Sequence, residues 1–335
     1  MRRPTLKTLA QRLDLSVTTV SRALKDGPEV RPDTISRVKA AATELGYVPN
    51  LNGLKLKTGK TFTIYAMLAA PSADVVGDAG SVALLQGIYE VLASTPYSLT
   101  AVPLLPGMDD LAEVRRVVEA ELADGILFDH TRPQDPRIKY LLEHDIPVVS
   151  FGRTELFSEH AYFDVDNEHA SYVATKHLLA KGHRRIGLID PELEFLFARQ
   201  RLAGYRRALA EADVAFDQDL VRHTDLSAEF GREGVLRMRQ LDDPPTGFVT
   251  ANEVVSLGVI SALRELGHRV GEGIDLVSRD GSRIMAFVEP QVASCQFPLR
   301  DAGRALASSM LRLLQGDPPE AVQQVARVEL LSGVG

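Results

Sequence analysis

The chain has 335 residues, is 45% hydrophobic and 25% charged, and carries one cysteine, no tryptophan and a formal net charge of −7. That length and balance exclude a disulfide-stapled small scaffold and a disordered polyelectrolyte, and the lack of any run of 18 apolar residues excludes a helical membrane protein. Met1-Arg2-Arg3-Pro4-Thr5 has no apolar stretch of the signal-peptide kind, and a lone cysteine fits a reducing compartment, so a cytoplasmic protein is expected.

Charge is unevenly placed. Residues 1–60 hold twelve Lys and Arg against five Asp and Glu, a balance of +7, and the other 26 basic and 40 acidic residues leave −14. A basic head on an acidic body is the asymmetry of a chain that meets phosphates at one end only.

In that head, Leu6, Leu9, Ala10 and Leu13 form one apolar face of a helix, and Thr5 stands where its N-cap belongs. After a break at Asp14-Leu15-Ser16, Ser16 is placed to cap a second helix with Val20, Ala23 and Leu24 on its inner face. Two amphipathic helices this closely joined cross steeply, as in a helix-turn-helix, and the second can enter a DNA major groove. A third helix opens at Pro32, carries Ile35, Val38, Ala42 and Leu45 inward, and ends at Gly46, where a left-handed cap is wanted; Tyr47 would pack back onto the three-helix core.

These pieces make a resemblance specific. Thr5-Leu6, Ala10, Leu15-Ser16, Thr19-Val20-Ser21-Arg22-Ala23-Leu24 and Gly46-Tyr47-Val48-Pro49-Asn50 together resemble the DNA-binding head of the lac repressor (LacI/GalR) family of bacterial transcription regulators. The resemblance implies a helix-turn-helix domain over 1–49 and a hinge helix or linker over 50–61. Val17 and Thr18 would open the recognition helix and face base edges, Val17 against a thymine methyl and Thr18 by that contact or a hydrogen bond. Arg22 resembles the family's guanine-reading arginine; a phosphate contact is its other reading. Thr5, Ser16, Thr19 and Ser21 carry hydroxyls suited to phosphate oxygens, or to capping. Asn50 and Leu56 belong to the hinge segment, where Leu56 matches the leucine that wedges a minor-groove base step. Gly53 and Leu54 stand where the family usually has Ala and Arg. Glycine costs a helix interior about 1 kcal/mol relative to Ala, so this hinge would be harder to order, and a plain basic linker is the competing reading of the segment. Gly59-Lys60-Thr61 is not the end of a P-loop, because the motif's first glycine falls on Leu54.

From Thr61 onward short apolar runs alternate with helical patterns. Strands are expected at 62–69, 98–104, 125–128, 146–151, 161–165, 186–190, 247–251, 274–278 and 292–296. Helices are expected at 80–93, 109–122, 135–144, 168–181, 198–212, 229–240, 253–266 and 299–315. Such alternation implies α/β lobes with parallel sheets covered on both faces, and about 275 residues call for two of them. The order is similar to the family's periplasmic-binding-protein-like core, which implies a ligand-binding and dimerisation core over 62–335, one lobe at about 62–162 plus 292–325 and the other at about 163–291. The helix Ser81–Ala93, with Val82, Leu85 and Tyr89 at helical spacing, is a candidate dimer face; burial within one lobe is its alternative.

The same resemblance proposes effector-binding residues. In Arg199-Gln200-Arg201-Leu202-Ala203-Gly204-Tyr205, Arg201 matches an arginine that clamps sugar hydroxyls, work for which its fixed fork is suited. Asn252 in Ala251-Asn252-Glu253 would point to ligand or cap a helix. Asp280 aligns with a hydroxyl-binding aspartate, but Arg279 replaces the usual aromatic before it, which suggests an anionic effector or an Arg279–Asp280 pair. His169 is either a pocket edge or an ordinary packed or surface histidine, and Ser72 would come from the loop after the first strand.

Enzyme signatures are missing. Cys295 falls in a buried strand, the eight histidines lack metal spacing, and no Gly-x-Ser-x-Gly elbow occurs. Neither a catalytic residue, a metal nor a cofactor is expected. The resemblance implies a homodimeric regulator, most simply a repressor of carbohydrate-utilisation genes, that binds a pseudo-palindromic operator on double-stranded DNA and responds to a sugar or sugar derivative, with no membrane partner. The competing class is a small-molecule sensor acting through a protein partner.

Overall fold

Helix α1 (Leu6–Leu13) begins in a reciprocal box: the Thr5 hydroxyl accepts from the Thr8 amide at 3.2 Å, and the Thr5 amide donates to the Thr8 hydroxyl at 3.1 Å. Asp14 ends it in the left-handed region with φ 54°, which turns the chain into α2 (Val17–Ala23). Ser16 caps α2 by accepting from the Thr19 amide at 3.0 Å. Helix α3 (Pro32–Leu45) starts on a proline and closes at Gly46 with φ 63°, while the Tyr47 amide reaches the Ala42 carbonyl at 2.8 Å. Leu9, Val20, Ala23 and Val38 are fully buried where the three helices meet. Each large aliphatic among them contributes about 2 kcal/mol by leaving water. Arg12–Glu44 and Lys39–Asp26 ion pairs tie α3 to its neighbours on the surface.

The structure, a computed structural model, describes residues 4–47, 55, 58–70, 79–224, 226–281 and 283–333, with the backbone alone for Ala79, Thr224 and Asp280. The chain divides into two compact units, Met1–Lys60 and Thr61–Gly335. The hinge residues Asn50, Gly53, Leu54 and Leu56 lie outside the described residues, as does Ser72.

The second unit holds two six-stranded sheets. The first contains β1 (Thr63–Ala69), β2 (Ser98–Leu104), β3 (Gly125–Phe128), β4 (Val148–Phe151), β5 (Ala161–Val165) and β11 (Gln324–Ala326), in the order β11-β5-β4-β3-β1-β2. The second contains β6 (Ile186–Pro191), β7 (Val221–Thr224), β8 (Gly247–Thr250), β9 (Asp275–Asp280), β10 (Ala293–Gln296) and β12 (Glu329–Leu331), in the order β12-β10-β9-β8-β6-β7. All pairs are parallel except β10 with β12. The long helices between them are α4 (Ala79–Leu92), α5 (Asp110–Glu119), α6 (Pro136–Glu143), α7 (Asn167–Ala180), α8 (Leu196–Glu211), α9 (Ala228–Met238), α10 (Glu253–Glu265) and, after the one-turn α11 (Met285–Val288), α12 (Leu299–Leu314).

The strands read as continuous apolar runs because both faces are covered. In the first lobe Ile64, Ala66 and Leu68 face Leu84 and Ile88 of α4 and Leu306 of α12, while Met67, Ile126 and Phe128 face Val114 of α5 and Ile138 of α6. In the second, Leu188 and Val249 face α7 and α8, and Ile189 and Phe248 face α9 and α10. Gly204 lets α8 approach α7, since a Cβ there would collide with the Glu168 carbonyl. At the strand ends remote from the cleft, His183 joins β8 to β9 by contacts with Thr246 Oγ1 (2.8 Å) and Asp275 Oδ2 (2.7 Å).

Two features depart from expectation. The sequence places 292–325 in the first lobe, yet β10 pairs with β9 and belongs to the second sheet; the chain returns to the first lobe only with α12. Likewise β5 extends to Val165 in the first sheet, past the expected boundary at 162. Strands β7, β11 and β12 carry no apolar run. They sit at sheet edges, where one side meets solvent and the hydrophobic signal is lost. Among the described residues no helix is long and apolar enough to cross a membrane.

Candidate functional site

In the first unit, α2 presents its outer face to solvent. Val17 is 40% exposed and Thr18 is exposed, whereas Thr19 and Ser21 are half-buried. The Ser16 and Thr5 hydroxyls are both engaged in caps. Arg22 is exposed, with Nε 3.1 Å from Glu29 Oε1. An exposed pair of this kind contributes little, so the guanidinium can exchange Glu29 for an external partner at small cost.

In the second unit, the carboxyl ends of β1, β3, β4, β6, β8 and β9 border a cleft of about 540 Å3. Both sheets reverse strand order at their first strand, and the crevice outside such a switch point is where doubly wound folds bind ligands. At its base Arg201 is 6% exposed. Its Nη1 donates to Asp190 Oδ1 at 3.0 Å and its Nε to Asn167 Oδ1 at 3.0 Å, while the guanidinium lies 4.8 Å over the Phe197 ring. Asn167 in turn donates to Asp164 Oδ1 at 3.1 Å, and Arg153 holds Asp164 Oδ2 at 2.7 Å. A polar chain thus runs from the end of β5 in one lobe to the end of β6 in the other. Burial pushes the carboxyls of Asp164 and Asp190 above their ordinary range, against the pull of Arg153 and Arg201 respectively. Asp190 Oδ2 is buried with no hydrogen-bond partner among the described residues.

The facing wall comes from the turn after β3. Asp129 accepts the Ala69 amide at 2.9 Å, with His130 Nδ1 3.1 Å from its other oxygen. Burial works against the charged carboxylate, yet His130, the Ala69 amide and Arg137 hold Asp129 below its usual range. Arg137, only 2% exposed, braces the turn by donating to Asp135 and to the carbonyls of Asp129 and His130, with Phe128 beneath it at 4.3 Å. His130 takes positive φ (52°) and meets Phe195 and Phe197 edge-on, at 5.1 and 5.5 Å. The two phenylalanines stack on each other, nearly parallel at 3°. The Leu196 amide also donates to the Thr131 carbonyl at 2.9 Å, and Arg132 Nε lies 3.4 Å from Glu194. These contacts join the two lobes directly.

The residues marked out in the sequence divide three ways. Arg201 and Asn252 line the cleft. Asn252 serves as N-cap of α10 through Oδ1, which accepts from the Val255 amide at 2.8 Å, and this use leaves the amide nitrogen for a ligand. Arg279 lines the cleft too, and the Asp280 backbone ends β9 beside it. His169 is not in the cleft wall: it lies in the first turn of α7, with its ring 6.5 Å from Tyr172. Ser72 and the Asp280 side chain lie outside the described residues. Asp129, His130, Asp190, Phe195 and Phe197 carry no motif. Acidic residues at the carboxyl ends of buried strands, Asp129 just after β3 and Asp190 near the end of β6, were the available signal. Cys295 is 2% exposed, its thiol pushed up to about 12 by burial, which leaves no reactive thiolate.

A capped basic helix-turn-helix and a two-lobed α/β cleft in one chain define the class of ligand-binding DNA regulators. Residues 5–50 match the lacI family of bacterial regulatory proteins, and residues 175–332 match the periplasmic binding protein-like domain. The chain is 33% identical over 334 residues to the HTH-type transcriptional regulator AglR of Rhizobium meliloti (strain 1021), covering 97% of this chain and 92% of that protein. It is 33% identical to the HTH-type transcriptional regulator RafR of Escherichia coli, covering 95% and 94%. A solved transcriptional regulator CelR–cellobiose complex superposes with a TM-score of 0.73 at 26% identity, covering 99% of this chain and 100% of that one. The chain belongs to the lacI family of HTH-type transcription regulators.

Proposed function

We propose that this regulator is a cytoplasmic, non-enzymatic repressor of carbohydrate-utilisation genes, binding a pseudo-palindromic operator as a homodimer and switched by a sugar-like effector. The observation that carries the reading is Arg201 at the base of the interlobe cleft, its fork oriented by Asp190 and Asn167 and its face on Phe197. A planar guanidinium so held can bind two neighbouring hydroxyls, and the flat aromatic beside it suits the C–H face of a sugar ring. Arg201, Asn252 and Asp280 would bind effector. Val17, Thr18 and Arg22 would read bases, Thr5, Ser16, Thr19, Ser21 and Asn50 would contact phosphates or support the head, and Leu56 would wedge the operator centre.

Effector bound between the lobes would favour whichever lobe arrangement keeps His130, Thr131 and Arg132 against Glu194–Phe197, and so bias the head only by its differential affinity for two states. Two exposed apolar patches suit self-association: Val82 and Tyr89 on α4, 56% and 64% exposed, and Phe287 on α11, 86% exposed.

The test is fluorescence anisotropy with DNA from the chain's own upstream region. Binding should weaken steeply with added salt, as counterion release demands. Arg201→Ala should keep DNA binding and lose release by effector; Leu56→Ala should bind more weakly and bend DNA less. Failure of the wild-type chain to bind any upstream fragment at low salt would overturn the regulator reading.

A further inference from the structure

A second, smaller cavity of about 20 Å3 adjoins the cleft at Arg201 and Arg279, which border both. We propose that this cavity is a binding site for one water, held between the Ser171 hydroxyl of α7 and the Asp190 carboxyl of β6, and that through this water Ser171 positions the carboxyl that orients Arg201. Two unmet hydrogen bonds carry the proposal. Ser171 is 4% exposed and Asp190 2% exposed. Ser171 Oγ and Asp190 Oδ2 are buried without a hydrogen-bond partner among the described residues, and both residues line this one cavity. A buried polar atom left unbonded costs more than an ordinary hydrogen bond gains, so nearly all such atoms find a partner in the protein or in ordered water. Rotating the carboxyl does not answer the need, because Arg201 holds Oδ1 at 3.0 Å and a half-turn only exchanges the two oxygens.

Size and chemistry select the ligand. One water needs about 10–15 Å3 of such space and two to four polar partners. The small side chains of Ala170 and Ala174 on α7 leave the room, and Leu188, Val249 and Val277 supply part of an apolar wall. The carboxyl oxygen accepts a hydrogen bond from water, and the Ser171 hydroxyl can donate to it or accept from it. Thr250 and Ser278 also border the space. Their hydroxyls are joined through Ser256 Oγ at 2.6 and 2.7 Å and keep lone pairs for a third bond. A metal cation is disfavoured by two guanidinium groups on the same cavity, Arg201 and Arg279, and an anion by the Asp190 carboxyl. Arg201 and His223 both favour the charged form of Asp190, while burial opposes it. A water that donates to Oδ2 acts in the same sense as Arg201.

The experiment is a crystal structure of the full chain at a resolution that shows ordered water, joined to a carboxyl-carbon NMR titration of Asp190 in the variants Ser171→Val and Ser171→Thr. The expected density is a single peak about 2.5–3.0 Å from both Ser171 Oγ and Asp190 Oδ2. A cavity without such a peak, a peak ligated as a metal cation, or a direct bond between Ser171 and Asp190 overturns the proposal. Valine and threonine share one shape, so the two variants differ at this site only by the hydroxyl. The proton affinity of Asp190 should be roughly tenfold higher in Ser171→Val than in Ser171→Thr, since the water that favours the charged carboxylate loses its anchor in the first. A role of Ser171 confined to packing predicts equal titration in the two variants, and that result also overturns the proposal. Should Ser171→Val fail to fold, the wild-type density decides the water site by itself. Neither measurement involves DNA or an effector, so both stand apart from the tests of the repressor reading.

Discussion

Arg201 Nη1 lies 3.0 Å from Asp190 Oδ1, and the second oxygen of that carboxyl is buried without a hydrogen bond among the described residues. Of the Asp190 oxygens only Oδ1 orients the arginine, and the carboxyl remains under strong desolvation pressure.

The first prediction concerns that carboxyl. Burial raises it above its ordinary value of 3.8 in spite of Arg201. A group raised on folding contributes its full stability below the ordinary value and loses it as pH climbs through the folded value. The stability of wild type relative to Asp190→Asn should accordingly fall as pH is raised from 3.8 toward neutrality. Urea denaturation of both chains across that range checks it; a constant difference would show that Asp190 titrates as it does in the unfolded chain.

His160 has the opposite sign. Burial beside Ser150, whose hydroxyl lies 3.1 Å from Nε2, depresses the imidazole from 6.5 to about 4, against the pull of Asp135 and Glu159. A depressed histidine stabilises the fold above 6.5, and that contribution disappears as pH falls from 6.5 through about 4. Wild type should lose about 3 kcal/mol more than His160→Gln over this interval, because each tenfold change in proton affinity is worth about 1.36 kcal/mol. Equal acid sensitivity of the two chains would contradict it.

In the head, capping and recognition separate. Ser16→Ala removes the hydroxyl that accepts the Thr19 amide and should cost about 1 kcal/mol of head stability, visible as earlier thermal loss of helix. Arg22→Ala breaks only an exposed pair with Glu29, so the fold should hold. If Arg22 reads a guanine, the loss should be about 1–3 kcal/mol of discrimination at one operator position. A uniform loss across all sequences would assign it to phosphate.

Self-association should respond to the exposed aromatics. Tyr89→Asp and Phe287→Asp introduce a charge into surfaces 64% and 86% exposed in the single chain, so neither should unfold it. Both should shift sedimentation toward monomer and weaken operator binding together, because one head per half-site requires two chains.

Much of the architecture is legible in the sequence because it depends on near neighbours. Thr5, Ser16 and Gly46 mark helix ends through contacts with residues three to five positions away, and the apolar runs from Ile64 to Val277 mark strands whose two faces are both buried. Arg201 could be singled out by its local pattern. The tertiary structure alone decided which groups meet it. Asn167 and Asp190 come from different elements, and Phe195 and Phe197 face His130 across the lobes, contacts with no local spacing to betray them. It also decided that His169 lies outside the cleft wall and that β10 joins the second sheet, since strand partners are chosen by packing between distant segments. Local chemistry determined the elements and the class of protein; long-range burial decided the charge and shape of its cleft.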